Sequence, residues 1–181
     1  MTIALLATII GVAWAIVAFN RLVRDSQRVK TAWSDIDVQL KRRYDLIPKL
    51  VAAVEQYARY EQSTLQTLIA LRSQAVQSSD VGEKGAVESQ IDTSLRSLMA
   101  LVEAYPELKA DQSFLQLQAD LTEVENHIQY ARRFYNGSVR NLNTRIETFP
   151  DLIVARLFNY QPATFFELDD VAEKKSPEIT A

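Results

Sequence analysis

His127 is the only imidazole in the chain, so any acid–base or metal chemistry that needs histidine must be built around it. Glu123 stands four residues before it and Tyr130 three after, which groups all three on the polar flank of a helix rather than on its apolar stripe. A di-metal helical bundle needs a Glu-x-x-His pair on each of two helices. Here the residue three before His127 is Val124, and there is no second His. A hydrolase elbow of the Gly-x-Ser-x-Gly kind is also missing. With no Cys in the chain, disulfides, thiolate metal sites and cysteine nucleophiles are excluded. The expectation is therefore a protein without a catalytic, cofactor or metal site.

The densest mixture of charge, aromatic and apolar character is WSDIDVQLKRRYDLIP, from Trp33 to Pro48. Asp37 with Lys41, Lys41 with Asp45, and Asp45 with Lys49 are each four apart, the spacing of ion pairs along one solvated helix face, worth about 0.2–0.5 kcal/mol each. These four residues form the candidate interaction surface. Arg43 is different, because it falls on the apolar seam, where a guanidinium needs acceptors to offset its desolvation. Pro48 frees the carbonyl of Tyr44 close by. Arg132, Tyr135 and Asn136 could supply further polar contacts, so Arg43, Tyr44, Arg132, Tyr135 and Asn136 are the candidate members of a polar network. The competing reading turns Tyr44 inward and lets Arg43 snorkel to solvent.

These residues need helices to hold them. The chain has 181 residues, 48% of them hydrophobic, with only 4 Gly and 5 Pro, which suits one helical domain better than a turn-rich β protein. A net charge of −3 gives no electrostatic footprint for nucleic acid. From Ile3 to Phe19 there is no charged residue. A run of about 17 residues at about 1.5 Å each reaches about 25 Å, the short end of a bilayer span. Ala13-Trp14-Ala15 is only a loose match to a cleavage site, and Arg21, Arg24, Arg28 and Lys30 all follow the apolar run. Residues 1–20 are thus expected to be an uncleaved, single-pass anchor in the cell's inner membrane. Its N-terminus would lie outside and the rest of the chain in the cytoplasm.

Beyond the anchor the pattern becomes amphipathic. Val29, Trp33, Ile36, Leu40, Arg43, Ile47, Leu50, Val54 and Tyr57 follow helical spacing straight through Pro48, which favours one kinked helix over about 20–59 rather than a hairpin at the proline. A second helix is expected over 62–78, with Leu65, Leu68, Ile69, Ala75 and Val76 inward, followed by a turn from Ser78 to Gly85. A third, over 85–105, carries Val87, Ile91, Leu98, Leu101 and Tyr105 and stops at Pro106. Asp111 or Ser113 can cap a fourth, whose stripe runs from Leu117 through Ile128 and Tyr135 to Phe149. Asn136-Gly137-Ser138 reads as a tolerated interruption of that helix rather than a turn or a glycosylation site, since the stripe continues past it.

Matching long helices to short ones gives an all-α fold: an N-terminal transmembrane helix followed by a long antiparallel up-and-down four-helix bundle. The domain reading is an anchor over 1–20, a bundle over 21–158, and a tail over 159–181 that is aromatic and then acidic, its end disordered. The aromatic part is expected to fold back onto the bundle; an interfacial segment on the bilayer is the alternative.

Several separated motifs carry a resemblance over nearly the whole chain. NRLVRDSQRVKTAWSDIDVQLKRRYDLIPKLV follows the anchor, LVEAYPELKA begins at Leu101, YARRFYNGSV at Tyr130 and FPDLIVARLF at Phe149. Together they resemble the bacterial LemA family. The resemblance implies a single-pass membrane protein with an antiparallel four-helix bundle, no established catalytic activity and no cofactor. It also implies membrane-linked roles, with magnetosome formation and neighbourhoods with membrane peptidases among the contexts, none of which identifies a reaction. The expected function is an interaction or scaffold module, with a regulatory adaptor of a membrane peptidase or envelope-stress system as the alternative. The expected partners are the lipid bilayer and a membrane or membrane-associated protein, a second copy of the chain included.

Overall fold

The computed structural model describes residues 1–58 and 62–167. Regular structure among them is helical throughout: α1 (Thr2–Glu55), α2 (Gln62–Gln77), α3 (Val81–Val102), α4 (Pro106–Ala110), α5 (Gln112–Glu147) and α6 (Asp151–Leu157). The acidic part of the tail, from residue 168 on, lies outside the described residues.

The apolar N-terminal segment and the first amphipathic helix are one helix, α1, with Pro48 inside it. From Ile3 to Val17 its large aliphatic side chains are exposed, as a segment facing lipid requires, and Trp14 is half-buried. The stripe that follows is buried at Val29, Ile36, Leu40, Arg43, Ile47, Leu50 and Val54. Pro48 does not break the helix because the carbonyl it strands finds another donor, described below. α5 likewise passes through Gly137 without interruption.

Five helices follow α1 among the described residues, and the four-helix expectation omits two of them, α4 and α6. Each begins at or just after a proline. Pro106 occupies the first turn of α4, where its missing N–H has no helical acceptor to lose. Pro150 immediately precedes α6. The turn expected from Ser78 to Gly85 is also shorter. Asp80 caps α3 by accepting the Glu83 N–H at 2.9 Å, so Gly82 and Gly85 lie within the helix. Asp111 caps α5 in the same way, accepting the Phe114 N–H at 3.0 Å.

The described chain forms two compact units. One comprises Met1–Asp37 and Gln129–Phe165. Its core packs Leu22, Val29, Ala32 and Ile36 of α1 with Val139, Leu142 and Ile146 of α5 and with Val154 and Ala155 of α6. Trp33 lies 5.4 Å from Tyr135, ring centre to ring centre. The segment after α6 is tied down by Asn143, whose side chain donates to the Ala163 carbonyl and accepts its N–H at 2.9 and 2.8 Å.

The other unit comprises Val38–Ile128 and, among the described residues, Phe166 and Glu167. α2 and α3 pack on each other, joined by three residues. The buried side of α3 is Lys84, Gly85, Val87, Glu88, Ile91, Leu95, Leu98 and Val102, so Val87, Ile91 and Leu98 face inward as expected, whereas Val102 is buried in place of Leu101 and Tyr105, which are half-buried. On α2, Leu71 is buried and Val76 is 55% exposed, reversing the expectation for Val76. Phe166 is fully buried against Gly85, so this part of the aromatic tail packs onto helices.

Candidate functional site

Arg43 is the centre of the most enclosed polar cluster among the described residues. Its place on the α1 stripe drives it inward, and its side chain is 1% exposed. A desolvated guanidinium persists only with acceptors around it. α3 supplies two, Glu88 and Asp92, one helical turn apart, and α5 supplies Glu125. Arg43 Nη2 pairs with Glu88, and Nη1 pairs with Asp92 and, at 2.8 Å, with Glu125 Oε1. The Tyr44 hydroxyl donates to Glu88 from the neighbouring position on α1.

One cation thus faces three carboxylates. Burial lowers the proton affinity of the Arg43 guanidinium, but the negative charges of Glu125 and Asp92 outweigh that and hold it above its usual value. The Glu125 carboxyl is pushed up from the ordinary carboxylate range by its own burial, against the pull of Arg43. Both Arg43 Nη groups are committed to these acids in a closed interior, so the arrangement suits a clamp between α1, α3 and α5 rather than a substrate site.

Next to it, Pro48 removes the N–H that would bind the Tyr44 carbonyl in an unbroken helix. Arg72 of α2 replaces that donor, with Nε 2.7 Å from the Tyr44 oxygen. In the other unit, Arg145 of α5 joins Asp25 of α1 at 2.5 Å and Asp151 of α6 at 3.0 Å. These two hydrogen bonds raise the proton affinity of Arg145.

Of the candidate network, Arg43 and Tyr44 are together, whereas Arg132, Tyr135 and Asn136 belong to the other unit. Arg132 donates to Gln129 at 3.0 Å, and the Tyr135 hydroxyl donates to the Thr164 carbonyl at 2.8 Å. Burial raises the Tyr135 hydroxyl above its usual value. Asn136 is partly exposed. On the candidate surface, Lys41, Asp45 and Lys49 are exposed along one line of α1, and Asp37 is partly exposed. The His127 side chain is 50% exposed with Nε2 3.6 Å from Glu123, which suits a solvated flank. Among the described residues no three His, Cys, Asp or Glu are placed to hold a metal ion.

Sequence reasoning missed Glu88, Asp92, Glu125 and Arg72. A signal was present for one of them: Glu88 sits in the helical series 84, 88, 91, 95, 98, 102, so an acid at a seam position on α3 faces the same problem as the base at a seam position on α1.

The LemA family profile matches residues 32–180. "Protein LemA" of Metamycoplasma hominis is 30% identical, the match covering 84% of this chain and 70% of that protein. "Magnetosome protein MamQ 2" of Paramagnetospirillum magneticum is 22% identical over 92% of this chain and 71% of its own length. "Magnetosome protein MamQ" of Magnetospirillum gryphiswaldense is 20% identical with the same coverage.

Proposed function

The chain belongs to the LemA family, and on that footing we propose that it works as a membrane-anchored interaction module rather than an enzyme. The observation that carries this reading is the continuity of α1. One helix holds both the lipid-facing apolar segment and, more than a dozen residues beyond it, the exposed row Lys41, Asp45 and Lys49. The same helix tethers that charged row to the bilayer, where a neighbouring membrane protein, or a second copy of this chain, can reach it. The Arg43 cluster then serves to hold the helices together behind the surface. Relatives named as magnetosome proteins support placing the chain in a membrane-associated setting.

Two finer features belong to the same proposal. Arg21, Arg24, Arg28 and Lys30, all exposed just after the apolar segment, support a cytoplasmic body and an external N-terminus. The pairing of long and short helices supports an antiparallel, up-and-down order, with 1–20 as anchor and 21–158 as body.

The test is photo-crosslinking of the full chain in intact membranes, with a photoreactive residue at Lys41 or Lys49 and a control at the exposed Gln118 of α5. The expected result is the same adduct from both α1 positions and not from Gln118. Self-adducts would identify a homomeric scaffold, and a membrane peptidase would identify a regulatory adaptor. Equal or absent adducts at all three positions would overturn the interaction reading.

A further inference from the structure

We propose that α6 and the residues flanking it form a second membrane contact. The face made by Phe149, Ile153, Leu157 and Phe158 would lie in the headgroup boundary of the leaflet from which α1 emerges. The inference rests on the membrane reading of the N-terminal segment and adds a surface to it.

Position is the first argument. The Phe158 ring lies 4.6 Å from that of Phe19, the last apolar residue before Asn20 and Arg21, and Arg145 bridges Asp25 of α1 to Asp151 of α6. From Phe19 to Asp25 the helix rises only about 9 Å. α6 is therefore held level with the point where α1 changes from apolar to charged, which is the depth of the bilayer's interfacial zone.

Chemistry is the second. α6 already buries one face, Val154 and Ala155, within its own unit. A helix on a soluble surface would present polar residues on the other. Here Ile153 and Leu157, four apart, are 54% and 77% exposed, and Phe149 and Phe158 beside them are 74% and 54% exposed. A second apolar face of this kind, continuous through Phe158 with a lipid-facing helix, matches an amphipathic element seated about 5–10 Å into the headgroup and acyl boundary.

Charge is the third. Arg156 on α6 and Arg21, Arg24 and Arg28 on α1 are exposed around this face, where they can meet anionic headgroups. Of the nearby acids, Asp25 and Asp151 are engaged by Arg145, and Glu147 is exposed. The rim is basic on balance.

The test uses the absence of Cys from the chain. Single cysteines placed at Val17, Leu157 and Lys49 of the full-length protein carry a fluorophore, in vesicles of phosphatidylcholine and phosphatidylglycerol. Quenching is read separately with a nitroxide on the lipid headgroup, a nitroxide deep on the acyl chain, and iodide in water. The expected result is headgroup quenching and loss of iodide quenching at Leu157, deep quenching at Val17, and iodide quenching alone at Lys49. If Leu157 behaves like Lys49 while Val17 is deep, the second contact is wrong and the anchor stands. An iodide-accessible Val17 would instead overturn the anchor itself. If Leu157 is shielded from iodide without lipid quenching, and dilution of the protein in the vesicles removes the shielding, a second copy covers the face and the proposal fails.

Discussion

Arg72 donates from Nε to the Tyr44 carbonyl at 2.7 Å, the oxygen that Pro48 strands within α1. The contact spans 28 residues of sequence, so a defect in one helix is repaired by a side chain from the next. Arg72→Met should cost about 1–3 kcal/mol, the penalty of leaving a part-buried acceptor unpaired beside a lost charge-assisted bond. In a Pro48→Ala background the helix regains its own N–H, and the same Arg72→Met change should cost clearly less. Thermal unfolding of the four variants in detergent reads the coupling. Equal costs in both backgrounds would separate Arg72 from the proline.

Removing the Arg43 side chain leaves Glu88 buried without its cation. Arg43→Met is therefore expected to destabilise by about 3–5 kcal/mol. For a chain of this size that lowers the melting temperature by roughly 6–20 °C. Arg43→Met combined with Glu88→Leu removes the cation and its one fully buried partner, leaving Asp92 and Glu125, which reach solvent, and should recover most of the loss, since a buried ion pair is often replaceable by apolar residues of similar volume. A single variant as stable as the parent would show that Arg43 is not a clamp.

The parts of this fold legible in sequence are those where physics is local. The α1 stripe from Val29 to Val54 keeps helical spacing through Pro48, and α5 keeps it through Gly137, so both helices can be read from periodicity alone. Less local features escaped. Apolar periodicity on α3 finds Val87, Ile91 and Leu98 but passes over Glu88 and Lys84, polar groups buried only because a partner on another helix or their own aliphatic stems make that tolerable. α4 and α6 were hidden because Pro106 and Pro150 end one helix and open the next, and a pattern search sees only the ending. Arg43 could be marked as anomalous from its seam position. Its acids could not be named, because nothing within one helix specifies which face of another it will meet.

Glu125 supplies a pH dependence. Burial raises its carboxyl above the ordinary range even with Arg43 beside it, so the folded state binds that proton more tightly than the unfolded state does. The stability linked to this group is fully present below the ordinary carboxylate value and is lost as pH rises through the raised one. Glu125→Gln keeps an acceptor for Arg43 and removes the titration. The melting temperature of the variant relative to the parent should therefore increase as pH rises above the ordinary carboxylate value, and level off once Glu125 of the parent is ionised. A difference that shrinks over that range would mean that attraction to Arg43 outweighs burial.

Gly85 and Gly137 both lie inside helices, and their surroundings give them opposite predictions. A Cβ at Gly137 meets nothing within 4 Å, so Gly137→Ala should stabilise by about 0.5–1 kcal/mol through reduced backbone entropy in the unfolded chain. A Cβ at Gly85 would sit 2.5 Å from the Glu167 carbonyl oxygen, closer than van der Waals contact permits. Neither group can yield by rotating a side chain, because the obstacle is backbone, so Gly85→Ala must displace the segment that carries Phe166. The full burial of Phe166 would be lost with it, at a cost of about 1.5–3 kcal/mol. Phe166→Ala removes the same burial without the clash, so the two substitutions should be strongly non-additive in thermal unfolding, the double variant little worse than either single one. Additive losses would show that Gly85 is required by α3 itself and not by the chain that crosses it.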